Sequence, residues 1–150
     1  MIALGSDQGG YLLKEAIKQH LEEQGYEIKD FGSYDENPVD YPTIAVPVAK
    51  AVINGECERA ILCCGTGLGM SITANKINGI RAACCSDCYS AELTRMHNDA
   101  NVLCLGGRVI GPGLAIMMTD LFLTTEFIGG RHAHRLEMLK EIEASQDLRS

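Results

Sequence analysis

Short apolar runs alternate with longer amphipathic ones from one end of the chain to the other. Ile2, Ala3 and Leu4 form the first apolar run, which reads as a buried strand. Residues 11–24 follow, with Leu12, Leu13, Ala16, Ile17 and Leu21 on one helical face and Gly25 as the stop. The same alternation predicts strands over residues 26–31, 60–64, 80–84 and 101–106. It predicts helices over residues 43–53, 71–76, 89–96, 113–124 and 131–144, the last one polar and followed by a frayed tail. Pro47 fits the 43–53 helix poorly, because proline has no N–H and is tolerated only in the first turns.

Alternation of strand and helix implies a parallel sheet with helices on both faces. Right-handed crossovers then give a single α/β domain over residues 1–150, a three-layer, doubly wound, Rossmann-like sandwich on five strands. Ligands of such sheets bind beyond the carboxyl ends of the strands. Asp7, Cys64, Asp87 and Arg108 fall at those ends. The cluster His97-Asn98-Asp99-Ala100-Asn101, between a helix and the fifth strand, reads as a polar junction on the same side. Histidine there suits proton transfer near neutral pH.

The densest chemistry lies in Cys63-Cys64-Gly65-Thr66-Gly67-Leu68-Gly69. It places a thiol where a strand ends and a helix begins. Free N–H groups at such a point favour negative charge, on a thiolate or on a substrate oxyanion. Side chains alternate across a strand, so Cys63 should point away from Cys64. Two other readings of the glycines are available. One is tight packing alone. The other is dinucleotide binding with Asp87 on a ribose, but Met70 stands where the fingerprint needs its third glycine. Cys85-Ser86-Asp87-Cys88, with Cys84 and His97, hints at zinc, yet no second Cys-x-x-Cys pair follows. Buried small cysteines explain it better, and neither metal nor cofactor is expected.

Charge narrows the partners. The net charge is −7 and no basic run exceeds two residues, which argues against nucleic acid and membrane surfaces. The amino terminus enters a strand at once, without a basic start or long apolar region, and no apolar stretch is long enough to span a bilayer. Seven cysteines, an odd number with two adjacent pairs, point to a reduced cytoplasmic protein. The exception to the acidic balance is Gly129-Gly130-Arg131-His132-Ala133-His134-Arg135. Arg131 and Arg135 are one helical turn apart and face the same way, as two forks for phosphate would. A solvated face paired with Glu137 and Glu141 is the plainer alternative.

Together these blocks resemble the type B ribose-5-phosphate isomerases, within the sugar-phosphate isomerases that include galactose-6-phosphate isomerase. The resemblance rests on Gly5-Ser6-Asp7, Asp40-Tyr41-Pro42, Cys64-Gly65-Thr66-Gly67-Leu68-Gly69, Ala74-Asn75-Lys76, Gly79-Ile80-Arg81-Ala82, His97-Asn98-Asp99-Ala100-Asn101 and Gly129-Gly130-Arg131-His132. It implies metal-free, cofactor-free aldose–ketose isomerisation of ribose 5-phosphate and ribulose 5-phosphate through an enediolate, in the pentose phosphate pathway. It implies Cys64 as base with Thr66 beside it, His97 as ring opener and Gly65, Thr66, Gly67, Leu68 and Gly69 as the anion loop. Asp7, Gln8 and Asn98 become sugar contacts, and Arg108, Arg131 and Arg135 phosphate ligands. It further implies a homodimer or tetramer with sites shared between subunits, the terminal helix reaching a partner. Gln8 stands where the family often has histidine, and glutamine moves no proton. The alternatives are a six-carbon aldose 6-phosphate, such as allose or galactose 6-phosphate, or a non-catalytic sugar-phosphate or nucleotide sensor.

Overall fold

The computed structural model describes residues 1–146. Five strands, β1 (Ile2–Ser6), β2 (Ile28–Asp30), β3 (Arg59–Cys64), β4 (Ala82–Cys84) and β5 (Val102–Gly106), form one all-parallel sheet. Their spatial order is β2-β1-β3-β5-β4. Six helices accompany them: α1 (Tyr11–Glu23), α2 (Tyr41–Ile53), α3 (Leu68–Ala74), α4 (Cys88–Asn98), α5 (Pro112–Thr124) and α6 (Arg131–Ser145). The tail expected after the last helix lies outside the described residues.

The sheet separates two apolar layers. Leu13, Ile17 and Leu21 of α1, Ala91 of α4, and Ala115, Met118 and Phe122 of α5 pack on one face. Ile44, Ala45 and Val48 of α2, with Met70 and Ala74 of α3, pack on the other. Every residue of β1 and β5 is buried, so these strands lack the one-sided alternation of a half-exposed sheet. The three-layer Rossmann-like sandwich is therefore present as expected. β5 inserts between β3 and β4, which leaves β4 at the edge of the sheet, where the Asn75 side chain pairs the N–H and carbonyl of Ala82.

Several boundaries differ from the sequence reading, each for a local reason. Tyr26 does not start β2, because its N–H bonds to the Leu21 carbonyl and completes the end of α1. α2 begins at Tyr41, with Asp40 as its N-cap, and contains Pro47 in its interior. The missing Pro47 N–H frees the Thr43 carbonyl, and Thr43 and Pro47 both lie on the exposed side of the helix. α3 starts at Leu68, inside the glycine run, because Gly67 takes the left-handed conformation at its N-cap. α4 runs on to Asn98, so His97 and Asn98 are helical and not part of a loop.

One charged side chain is wholly buried in this frame. Lys14 of α1 has no exposed surface. Its ammonium donates to Asp30 Oδ1 at 2.9 Å and Oδ2 at 3.1 Å, and to the Ser33 carbonyl. Burial by itself would raise the Asp30 carboxyl, but the Gly32 N–H and the Lys14 and Lys18 ammonium groups outweigh it and hold it below the ordinary range. Removing Lys14 leaves the Asp30 carboxylate with only the partly exposed Lys18 as a cationic partner. Lys14→Met should therefore cost roughly 3 kcal/mol in urea unfolding. Because the folded carboxyl is depressed, its contribution is complete above about pH 4 and is lost as pH falls through the folded value. An Asp30→Asn variant should be less stable at neutral pH and lack that acid-dependent step. An identical acid limb in both proteins would contradict this assignment.

Candidate active site

β1 and β3 are neighbours, yet their following helices leave to opposite faces of the sheet. A crevice therefore opens between their carboxyl ends, where α/β sheets bind ligands. Asp7 follows β1 and is buried. Its Oδ1 accepts the N–H groups of Gly9 at 2.9 Å and Gly10 at 3.2 Å, which fixes the carboxylate inside its own turn. Gln8 uses its Oε1 to accept the Val39 N–H at 3.0 Å. It thereby ties the irregular segment before α2 to this turn and keeps its amide hydrogens to donate. The turn lies directly on β3. A Cβ on Gly10 would stand 2.3 Å from the carbonyl carbon of Cys63 and 2.4 Å from its oxygen.

Cys64 closes the other side of the crevice. Its Sγ accepts the Gly67 N–H at 3.1 Å, an arrangement that suits a sulfur carrying negative charge. Thr66 Oγ1 accepts the Leu68 N–H at 3.2 Å and so keeps its hydroxyl hydrogen to give. The loop after β5 folds over both. Gly107 N–H donates to the Cys64 carbonyl at 2.8 Å and Arg108 N–H to the Gly65 carbonyl at 3.0 Å. The Arg108 guanidinium would stand 3.2 Å from a Cβ on Gly65, so its charge lies over the loop. Cys63 points into the opposite layer, as strand alternation predicts. Burial, with Cys64 adding, pushes its thiol far above the ordinary range.

His97, Asn98, Arg131 and Arg135 are not in this crevice. α4 runs back along the sheet, so its last turn lies beside the amino end of β5. The five residues of β5 separate the two ends by roughly 16 Å at about 3.3 Å per residue. The expected junction on the ligand side is thus corrected. There His97 stacks on His132 of α6, with centroids 4.2 Å apart and planes within 8°. His132 is buried, and its Nε2 has no hydrogen-bond partner among the described residues. Burial first, then His97, Arg131 and Arg135, lowers its basicity. Arg131 and Arg135 are exposed in the first turns of α6. Neither has an acidic partner among the described residues, and Glu137 pairs with Lys140 instead.

Two other sequence ideas are answered by geometry. Asp87 spends its carboxylate on the N-cap of α4, accepting the Ser90 N–H at 2.7 Å and hydroxyl at 2.9 Å. It is not a free ribose ligand. All seven cysteines are free thiols, and among the described residues no three His, Cys, Asp or Glu side chains group to hold a metal. No helix among the described residues is long and apolar enough to cross a membrane. The sequence reading gave no role to Tyr41, whose ring covers Gly69, to Cys84 beside Gly67, or to His132 under His97. Tyr41 and His132 stood only within quoted motifs, and Cys84 only within the possible zinc cluster.

A cysteine and a glycine-rich loop thus stand at the switch point of a parallel sheet, where such folds bind ligands. A family model described as Ribose/Galactose Isomerase matches residues 2–139. Ribose-5-phosphate isomerase B of Escherichia coli is 50% identical over 142 residues, covering 95% of each chain. The solved ribose-5-phosphate isomerase B of Clostridium thermocellum is 52% identical, with a TM-score of 0.95, covering 97% of this chain and 98% of that one. D-erythrulose-4-phosphate isomerase of Pectobacterium atrosepticum is 47% identical, covering 92% of this chain and 91% of its own. The chain belongs to the Ribose/Galactose Isomerase family and is an aldose–ketose isomerase of the ribose-5-phosphate isomerase B type.

The contact of Gly10 with β3 is testable. Its neighbour is backbone, which cannot yield as a flexible side chain would. Gly10→Ala should lower stability by roughly 1–3 kcal/mol and reduce isomerase turnover, through displacement of Asp7 from Cys64. Unchanged unfolding and turnover would mean that the turn can withdraw from the strand without consequence.

Proposed function

We propose that this enzyme interconverts ribose 5-phosphate and ribulose 5-phosphate, with Cys64 as the base. The observation that carries the reading is the Cys64 sulfur, hydrogen-bonded by Gly67 N–H at 3.1 Å beside the Asp7 turn. Isomerisation requires a proton to leave the carbon next to a carbonyl and return to its neighbour. Cys64 takes the C2 proton, N–H groups of the loop and the Thr66 hydroxyl steady the enediolate while its hydroxyl proton passes from O2 to O1, and the same thiol delivers its proton to C1. Asp7 and the Gln8 amide orient hydroxyls. Arg108 supplies positive charge at the edge of the loop.

The site is completed by a second copy of the chain. A sugar phosphate cannot span the roughly 16 Å from the Cys64 loop to His97 and the paired arginines. A twofold dimer brings the second cluster of one subunit to the crevice of the other. In it, His97 opens the furanose ring, Asn98 holds a hydroxyl, and Arg131 and Arg135 clamp phosphate with Arg108. Exposed apolar side chains support this assembly: Leu68 and Ile72 on α3, and Leu139 and Ile142 on α6, a helix less polar in effect than its composition suggested. A cleft of about 680 Å³ between β4 and α6, lined by Ile80, Ala82, Leu136 and Ile142, adds apolar surface for a partner.

Turnover assays with ribose 5-phosphate, erythrulose 4-phosphate and a six-carbon aldose 6-phosphate test the substrate. The five-carbon sugar should give the highest kcat/KM, and preference for either other length overturns that choice. Cys64→Ser should cut kcat by about 10²-fold or more while sparing the fold, and Cys63→Ser should retain most activity. The reverse ranking would remove Cys64 as base.

The shared site has its own test. Arg135→Ala should weaken phosphate binding by roughly 1.5–3 kcal/mol and raise KM. Mixing Arg135→Ala with Cys64→Ser under subunit exchange should restore activity, because one intact site is rebuilt per heterodimer. No recovery despite demonstrated exchange would show that each subunit uses its own arginines.

A further inference from the structure

Cys84 ends β4, an edge strand of the sheet, and is exposed. It is in register with Cys104, and Cys104 with Leu62, so its side chain shares a face with Cys64 two residues on. Its thiol donates to the Thr66 carbonyl at 3.6 Å, within the longer reach of sulfur. Its Sγ would also stand 3.0 Å from a Cβ on Gly67, so it presses against the backbone there. The Thr66 carbonyl and the Gly67 N–H are the two ends of one planar peptide unit and point in opposite directions. The other end meets Cys64 Sγ at 3.1 Å.

From this geometry we propose that Cys84 is a positioning residue for Cys64: it grips one end of the peptide unit joining Thr66 to Gly67, and so aims the other end at the Cys64 sulfur. The role rests on the reading of Cys64 as the base. Without the grip, the peptide can tilt and the N–H leaves the sulfur. Two competing roles fail on geometry and charge. β5 lies between β4 and β3, so the two cysteines are separated by two strand spacings, about 9.6 Å, too far for a disulfide without backbone movement. Burial, and then Cys64, raises the Cys84 thiol above its ordinary range. It therefore remains a protonated donor at neutral pH and is a poor nucleophile.

The test reads the Cys64 sulfur directly, without any sugar. Iodoacetamide labelling across pH, with peptide fragmentation to separate Cys64 from Cys63, gives a midpoint for Cys64 alkylation. Cys84→Ala should move that midpoint up by about one pH unit, the scale of one lost hydrogen bond to a charged group. Cys84→Ser, which keeps a donor, should recover at least half of the shift. A midpoint in Cys84→Ala equal to that of the unaltered protein overturns the proposal. So does a Cys84→Ser midpoint moved as far as that of Cys84→Ala. A shifted midpoint with unchanged isomerase turnover upholds the grip and instead removes Cys64 from the reaction.

Discussion

The site depends on backbone meeting backbone at the carboxyl ends of β1, β3 and β5. Three turns, each following a different strand, are pressed together until no side chain fits between them. The Asp7 turn lies on the Cys63 carbonyl through Gly10, and Gly107 and Arg108 bond the carbonyls of Cys64 and Gly65. Such contact holds a main-chain N–H, that of Gly67, against the Cys64 sulfur. Preorganised donors of this kind do not need to reorient as charge develops. The cost is borne by the glycines, whose conformational freedom in the unfolded chain is the greatest of any residue. Buried strands on either side supply the rigidity that holds them. The fully buried Lys14 reinforces the same end, since it binds Asp30 and the Ser33 carbonyl just past β2.

A second constraint follows from strand direction. In an all-parallel sheet every strand end of one kind lies on one side, and every helix returns the chain to the other. A histidine at the end of α4 must therefore be far from a cysteine at the end of β3. Under the proposed function, residues at the two ends serve one reaction only if two chains cooperate. The exposed apolar side chains of α3 and the thinly attached α6 leave surface for that cooperation. α6 is held to the body chiefly by the His97–His132 stack and by Glu143, which accepts the Gly79 N–H at 3.0 Å.

The fold was legible because buried parallel strands announce themselves as short apolar runs, and the helices between them as amphipathic ones. The position of the Cys64 loop was legible too, since a glycine run after a buried apolar strand marks the turn where that strand ends and a helix begins. What escaped was anything set by distance between elements. His97 read as a ligand-side residue because its neighbours are polar, although helix direction carries it to the opposite end. Asp87 read as a free acid because a cap can be recognised only once the helix start is known. Tyr41 lay in a quoted block and Cys84 beside a Cys-x-x-Cys, but neither pattern pointed to the contact each makes. Their roles come from facing Gly69 and Gly67 across the fold, and a sequence does not state which residues will face each other.

Neighbouring cysteines show how far environment divides identical chemistry. Cys63 and Cys64 differ by one position, which in a strand means opposite faces. Cys63 enters a dry layer of Leu13, Leu105 and Ile61, where its ionised form finds no donor and its thiol is pushed far up. Cys104, on the other face, is buried and raised in the same way. Cys85, on the face of Cys63, is raised to about 11 by burial first and then by Cys84 and Asp87. Cys64 shares its layer with Leu62 and Met70, yet it alone of the two neighbours stands at the strand end with an N–H directed at its sulfur. Burial and hydrogen bonding are opposing influences on a thiolate, and only the strand end supplies the second. Cys64 is thus set apart from its neighbour by the position of one peptide group, whose N–H meets the sulfur at 3.1 Å.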